Sequence, residues 1–134
     1  MASESTAQKK GGSVFAVSQY SRIAYAASVM HEHKVGCLVV TGDGGEAVGI
    51  LSERDVLRWI GTATPQAYMQ KVCDIMTKDF VAGQPGITCQ EAQEIMRSHK
   101  IRHLPIVEDG FAVGMVSMRD LLAETEPESV LHAG

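Results

Sequence analysis

The chain repeats itself, and this repeat constrains its fold more than any other feature of the sequence. Residues 47–57 read Ala-Val-Gly-Ile-Leu-Ser-Glu-Arg-Asp-Val-Leu, and residues 112–122 read Ala-Val-Gly-Met-Val-Ser-Met-Arg-Asp-Leu-Leu. Five upstream residues recur 66 positions later: Ala26, Met30, His33, Lys34 and Leu38 return as Ala92, Met96, His99, Lys100 and Leu104. We therefore expect two copies of one supersecondary unit, each with the same polar side chains in the same place.

Each copy is expected to form a strand, a helix, two strands and a helix. Apolar runs at 14–17 and 80–82 predict the first strand. Residues at helical spacing then predict an apolar helix face in each copy: Ile23, Ala26, Ala27 and Met30, followed by Cys89, Ala92, Gln93 and Met96. Asp-Gly in 42–45 and 108–110 predicts two hairpins, because such turns need positive φ angles. The last helix of each copy opens at Ser-x-Arg-Asp, and a short helix is expected at 68–76.

Composition divides the chain into four segments. Residues 1–13, dominated by Ser, Gln, Lys and Gly, are expected to be a disordered N-terminal arm. Residues 14–66 hold the first repeat with its linker, and residues 67–123 hold the second. Residues 124–134 begin Glu-Thr-Glu-Pro-Glu-Ser and are expected to be an acidic C-terminal tail.

Charge and composition argue against several classes of partner. The formal net charge is −4, whereas a nucleic-acid-binding protein is expected to present a basic face. The apolar runs are shorter than the roughly 20 residues of a membrane span. An odd count of three cysteines suits a reducing compartment, and the N-terminus has no apolar signal core, so we expect a cytoplasmic protein.

The two strand-to-helix junctions, within this element order, resemble those of a tandem CBS (cystathionine β-synthase) domain pair, also called a Bateman module. Residues 71–77 resemble the lead-in to a second CBS repeat, and residues 101–107 resemble its central strand. The resemblance implies an α+β fold of two tandem β-α-β-β-α repeats, packed through their sheets with pseudo-twofold symmetry around two clefts. It also implies a homodimer that binds an adenosine compound: AMP, ADP, ATP, NAD(H) or S-adenosylmethionine. Such a module commonly regulates another protein, here a separate one.

Asp55 and Asp120 are the first candidate ligand-binding residues. Each follows a serine by three positions, which is a helix-capping pattern, and a carboxylate in the first helical turn suits the helix dipole. Each carboxylate can also accept two hydrogen bonds from the 2′,3′-diol of a ribose. The two roles are compatible, and the resemblance favours ribose binding by at least one of them.

The junctions also offer groups for phosphate. Ser52 and Ser117 precede helices whose free amides attract anions, although simple capping explains them equally well. Arg54 and Arg119 can grip phosphate with two hydrogen bonds, or can form ordinary surface ion pairs.

The copies differ at one informative pair of positions. Gly36 and Cys37 in the first copy correspond to Arg102 and His103 in the second. The second copy is therefore richer in positive charge, while Gly36 allows close backbone approach to a flat base. We expect two unequal sites.

Apolar walls for an adenine are expected from both copies. The candidates are Val14, Phe15 and Val17 in the first copy, and Phe80, Val81, Leu104 and Pro105 in the second. The alternative is that these side chains simply form the core.

No catalytic or metal-binding constellation is recognisable in the sequence. His31 and His33 point to different sides of a helix and have no third ligand nearby in sequence. We therefore expect a non-enzymatic nucleotide sensor. The alternative is a structural dimerisation or interaction module that binds no nucleotide.

Overall fold

The structure, a computed structural model, describes residues 14–62 and 64–123. These residues divide into two compact units. Within the described residues, the first comprises Phe15–Phe80, and the second comprises Val14 together with residues 81–123. The expected N-terminal arm at 1–13 and the acidic tail at 124–134 lie outside the described residues.

The first unit has the expected element order. It contains β1 (Ala16–Ser18), α1 (Ile23–His33), β2 (Cys37–Thr41), β3 (Ala47–Ser52) and α2 (Glu53–Thr62), followed by a 3-10 helix (Pro65–Met69) and α3 (Val72–Ile75). The strands form one sheet in the order β1-β2-β3, in which β1 runs parallel and β3 antiparallel to β2. The single helix expected at 68–76 is instead broken at Gln70 and Lys71, because the Lys71 N–H donates to Asp74 Oδ2 (2.8 Å) and starts a new helix.

The second unit repeats this order with one exception. It contains α4 (Cys89–His99), β4 (His103–Glu108), β5 (Phe111–Ser117) and α5 (Met118–Ala123), and β4 pairs antiparallel with β5. The strand predicted at 80–82 is wrong. Only a single parallel bridge forms there, between Gly83 and Ile106. Gly83 follows the predicted strand directly and Pro85 follows two residues later, and both residue types weaken a strand.

The hairpin turns differ between the units. In the second unit, Asp109 (φ 53°) and Gly110 (φ 87°) form the expected two-residue turn. In the first unit the positive φ angle belongs to Gly45 (89°) and not to the predicted Asp43-Gly44 pair. The longer 42–46 loop is held instead by the Glu46 carboxylate, which accepts the Gly44 N–H at 3.0 Å.

Each unit has its own apolar core, built from the faces that the sequence predicted. The first core contains Phe15, Val17, Ala26, Val29, Met30, Leu38, Val40, Leu51 and Val72. The second contains Ile87, Cys89, Ala92, Met96, Leu104, Ile106, Val116 and Leu121. On α1, Val29 is buried while the predicted Ala27 is only half-buried. The capping box expected at α4 is present, with Thr88 and Glu91 each accepting the other's N–H. Among the described helices, none has the length and apolarity needed to cross a bilayer.

Replacing a glycine with alanine should have opposite effects on stability at two positions in the first unit, Gly49 and Gly61. In Gly49→Ala, the new Cβ would lie 2.7 Å from Met76 Sδ and 3.0 Å from the Thr77 carbonyl oxygen, which the backbone holds in place. We expect a loss of about 1–3 kcal/mol in the free energy of unfolding. Gly61, near the end of α2, has open space around its Cα, so Gly61→Ala should add about 0.4–1 kcal/mol. Urea denaturation of both variants measures the difference, and equal effects would contradict this packing.

Candidate functional site

The junction between β3 and α2 in the first unit forms a reciprocal capping box. The Ser52 N–H donates to Asp55 Oδ2 at 2.9 Å, and the Asp55 N–H donates to Ser52 Oγ at 3.2 Å. These bonds satisfy two donors at the start of the helix. They fix the Asp55 carboxylate against the strand end.

The junction between β5 and α5 in the second unit has the same geometry. The Ser117 N–H donates to Asp120 Oδ2 at 3.2 Å, and the Asp120 N–H donates to Ser117 Oγ at 3.1 Å. The capping role expected from the Ser-x-x-Asp pattern is therefore present in both copies.

The strand that precedes each hairpin brings the other predicted site residues to these junctions. Cys37 pairs across the sheet with Ser52, and His103 pairs with Ser117. One residue earlier, the Arg102 carbonyl accepts the Met118 N–H at 2.9 Å, and the Gly36 carbonyl accepts the Glu53 N–H at the same distance. Four predicted residues thus converge in each unit: Gly36, Cys37, Ser52 and Asp55 in the first, and Arg102, His103, Ser117 and Asp120 in the second.

The two carboxylates nevertheless differ in what they offer a ligand. Asp55 is only 5% exposed, and its Oδ1 accepts a hydrogen bond from Arg58 Nη1 at 3.4 Å. Asp120 is exposed, and within residues 14–62 and 64–123 only the Ser117 N–H donates to its carboxylate. Both carboxylates keep unused acceptor sites, but those of Asp120 are open to solvent. Asp55 is almost entirely buried, faces a cavity and already accepts a hydrogen bond on each oxygen.

Charge around the junctions differs in the same direction. Arg102 and Arg119 are both accessible to solvent in the second unit. In the first unit Arg54 is exposed next to Glu53 in sequence, and Gly36 occupies the position equivalent to Arg102. The second junction thus has an exposed cation at position 102 where the first has a glycine.

Sequence reasoning missed Arg58, which partners Asp55. The spacing of three residues along a helix was the available signal, because such pairs lie on one face. Arg58 also lines a cavity of about 640 Å³ between α2 and the segment leading into α3. The indole N–H of Trp59 lies in the same cavity and donates to Gln70 Oε1 at 2.9 Å.

Most of the side chains predicted to contact an adenine are buried, and several of them belong to the two apolar cores. Phe15 belongs to the first core, and its ring stacks on that of His33 with the centroids 4.6 Å apart. Pro105 is fully buried, Val14 is 4% exposed, and Val81 packs against the second core. Phe80 is half-buried. These positions fit the core alternative, and contact with a base stays a prediction for them.

Cys37 is buried, and its thiol is expected to have low reactivity. Burial, with smaller contributions from the carboxylates of Asp55 and Glu53, raises the pKa of its thiol from 9.0 to about 12. Because the thiolate is the reactive form, this cysteine is protected from alkylation and oxidation at neutral pH.

Alkylation of the folded protein checks this difference between the cysteines. With iodoacetamide at pH 8, the half-buried Cys73 should react while Cys37 and the buried Cys89 stay unmodified. In urea all three should react. Peptide mass spectrometry identifies the modified residues, and rapid labelling of Cys37 in the folded protein would overturn the burial of its thiol.

Within the described part of the chain, His, Cys, Asp and Glu side chains form no group of three or more that is suited to a metal ion. His31 and His33 are exposed at the end of α1.

Comparison with known proteins supports the resemblance of this chain to a tandem CBS-domain pair. The family profile described as CBS domain matches residues 12–62 and 72–126. The chain belongs to the CBS-domain family. The CBS domain-containing protein YhcV of Bacillus subtilis is 37% identical over 109 residues, which covers 81% of this chain and 76% of that protein. An inosine-5'-monophosphate dehydrogenase of Nitrosopumilus maritimus is 32% identical over 124 residues, which covers 88% of this chain.

The chain spans only 25% of the length of that dehydrogenase, so the match concerns one part of the enzyme. Among solved structures, the CBS-domain protein PAE2072 of Pyrobaculum aerophilum, complexed with AMP, has a TM-score of 0.76 and 27% identity. That alignment covers 83% of this chain and 85% of the other. The α+β fold with two CBS repeats is therefore confirmed.

Proposed function

We propose that this protein is a regulatory module that binds an adenosine compound, with Asp120 as the principal ribose-binding residue. The observation that carries the proposal is the contrast between the two junction carboxylates. Asp120 is exposed, whereas Asp55 is buried and bonded to Arg58.

The chemistry of a ribose fits the Asp120 carboxylate. A carboxylate has about four acceptor sites on two oxygens, and the Ser117 N–H uses one of them. The 2′- and 3′-hydroxyls of a ribose are two neighbouring donors, so both can bond to the carboxylate without breaking the helix cap. Hydrogen bonds to an ionised acceptor are among the stronger ones in proteins.

Arg102 and Arg119 supply the countercharge for a phosphate. Both side chains are accessible to solvent, and the carbonyl of Arg102 is bonded to the first residue of α5. A guanidinium can donate two parallel hydrogen bonds to phosphate oxygens. In this proposal the equivalent junction of the first unit is the weaker site, because Gly36 provides no cation there.

The AMP complex of PAE2072, a protein that shares this fold, supports an adenosine compound as the ligand class. The candidates are AMP, ADP, ATP, NAD(H) and S-adenosylmethionine, since all carry the adenosine that Asp120 would bind. Regulation follows if the ligand binds one conformation of the module more tightly than another, which shifts its affinity for a separate partner protein. We assign no catalytic step to the chain. Its odd count of three cysteines suits a reducing compartment such as the cytoplasm.

Thermal unfolding of the full chain with each candidate ligand tests the proposal. Ligand that binds only the folded state raises the Tm by mass action, by an amount that grows with ligand concentration. We expect one or more adenosine compounds to raise the Tm, and free adenine, which lacks the ribose and the phosphate, to act more weakly. No Tm increase with any adenosine compound would contradict nucleotide binding.

A structural dimerisation module is the second candidate function, and one observation favours the dimer itself. Leu57 and Ile60 lie three residues apart on α2 and are 68% and 62% exposed. Two large apolar side chains on one helix face are suited to an interface between copies. We propose that the protein forms a homodimer through this face, whether or not it binds nucleotide.

Sedimentation equilibrium tests the dimer. The unmodified chain should sediment as a dimer, and Leu57→Glu with Ile60→Glu should sediment as a monomer, because like charges would oppose each other across the interface. Tyr68→Glu, at a residue that is 70% exposed on the 3-10 helix, is the control and should leave the dimer intact. A monomeric unmodified chain would contradict the proposal.

A further inference from the structure

A cationic apolar groove lies on the second unit, between α4 and α5. It has a volume of about 450 Å³ and eight lining residues: Gln93, Met96, Arg97, Lys100, Ile101, Arg102, Met118 and Leu122. Four of them are apolar and three are cations. Among the described residues no carboxylate lines the groove, so it combines an apolar floor with a rim of one sign of charge.

The rim charges and part of the floor are left open to solvent. Arg97, Lys100 and Arg102 are all exposed, and none of them has a carboxylate within 4.0 Å among residues 14–62 and 64–123. Leu122 is 75% exposed, although its neighbour Leu121 is 3% exposed. An exposed leucine beside three such cations suits an occupant that is both acidic and apolar.

The equivalent place in the first unit lacks this charge. The positions of Arg97, Lys100 and Arg102 are occupied there by His31, Lys34 and Gly36. The segments after the two repeats differ in the same way. Residues 61–66, at the end of α2 and just beyond it, contain no acidic side chain, whereas residues 124–128, which follow α5, contain three glutamates. The three-cation rim thus occurs in the repeat that precedes an acidic segment.

We propose that residues 124–134 bind in this groove, with Glu124, Glu126 and Glu128 against the cationic rim and Val130 and Leu131 on the apolar floor. The segment has three carboxylates and the rim has three cations, so the charges are equal in number and opposite in sign. The segment closes an apolar surface that would otherwise attract other proteins, and it places negative charge beside Arg102. Exposed ion pairs are individually weak, so several must act together with apolar contact.

The segment is long enough to reach the groove. Its first residue comes directly after Ala123, and two residues of α5 itself, Met118 and Leu122, line the groove. At about 3.3 Å per residue, residues 124–134 can extend over roughly 35 Å. Returning along the six residues of α5 requires only about 9 Å at 1.5 Å per residue.

A nitroxide label near the end of the segment tests the contact. The label is attached through Ser129→Cys in a Cys73→Ser background, where the remaining cysteines, Cys37 and Cys89, are buried. Amide signals of residues 96–102 are compared before and after reduction of the nitroxide. We expect strong broadening of these signals, which Arg97→Gln with Lys100→Gln should largely remove. Raising the salt concentration to about 1 M should have the same effect, because exposed charges are then screened.

Two controls separate the possible occupants. Lys34→Gln, at the position equivalent to Lys100, should leave the broadening unchanged. A mixture of isotope-labelled chain without nitroxide and unlabelled chain carrying it should show no broadening at 96–102. Broadening at 96–102 in the mixture would mean that a second copy supplies the segment, which would overturn the intramolecular contact. The proposal would also be overturned if no broadening occurred, or if the broadening were the same in the double variant Arg97→Gln with Lys100→Gln.

Discussion

Asp120→Ala should weaken binding of the adenosine ligand by roughly 10- to 100-fold, the worth of one or two hydrogen bonds to a charged group. The substitution removes the exposed carboxylate that has free acceptor capacity in the second unit. Calorimetric titration measures the loss. Because Asp120 also caps α5, Asp120→Asn is the companion variant. Its side-chain oxygen can still accept the Ser117 N–H, but the charge that strengthens the ribose contacts is gone.

Asp55→Ala is the matched comparison and should behave in the opposite way. It should leave ligand affinity nearly unchanged but reduce the free energy of unfolding by about 1–2 kcal/mol, because it removes the cap of α2. It also leaves the partly exposed Arg58 without its partner. Loss of binding in Asp55→Ala together with normal binding in Asp120→Ala would show that we have assigned the site to the wrong repeat.

Leu121→Ala should destabilise the protein by about 2–4 kcal/mol, while Leu122→Ala should change its stability by less than about 0.5 kcal/mol. The two residues are neighbours on α5, so the intrinsic helix propensity of the change is the same. Leu121 is 3% exposed within the second core, whereas Leu122 is 75% exposed. Only the first substitution leaves a cavity among packed side chains. Urea denaturation of the two variants measures the difference.

The assay also tests the orientation of α5. If Leu122→Ala proved as costly as Leu121→Ala, the helix would have to be rotated or its outer face covered by tightly packed structure. Covering by residues 124–134 alone should contribute less, because a short segment that docks reversibly adds little to global stability.

The repeat made much of the fold predictable. Identical patterns at Asp55 and Asp120 indicated one supersecondary unit used twice, and the strand-to-helix junctions have the capping geometry that the Ser-x-x-Asp pattern predicts. Arg102 and His103 also lie at the second junction, because strand pairing brings the start of β4 beside the end of β5.

The failures have local causes. The strand predicted at 80–82 needed residues that continue its pairing, but Gly83 and Pro85 come next, and one bridge forms instead. The first hairpin contains an Asp-Gly pair like the second, but three glycines and the Glu46 carboxylate allow a longer loop. In both places the residues that flank the pattern determined the local structure, and the pattern itself did not.

The difference between the two carboxylates was only partly visible in the sequence. Ser-x-Arg-Asp is the same in both copies, and burial depends on which residues pack over each junction. Arg58 has no counterpart with the same charge in the second copy, where Ala123 occupies the equivalent position. The sequence did predict unequal sites, but from the Arg102-His103 pair and not from the carboxylates themselves.

Calorimetric titration of the full chain with AMP, and then with the other adenosine compounds, tests the central claim most directly. We expect saturable binding of at least one compound, with one strong site per chain. Two identical and independent sites would contradict the asymmetry between Asp55 and Asp120. No binding of AMP, ADP, ATP, NAD, NADH or S-adenosylmethionine would contradict the proposed function, and the protein would then be better described as a structural dimerisation module.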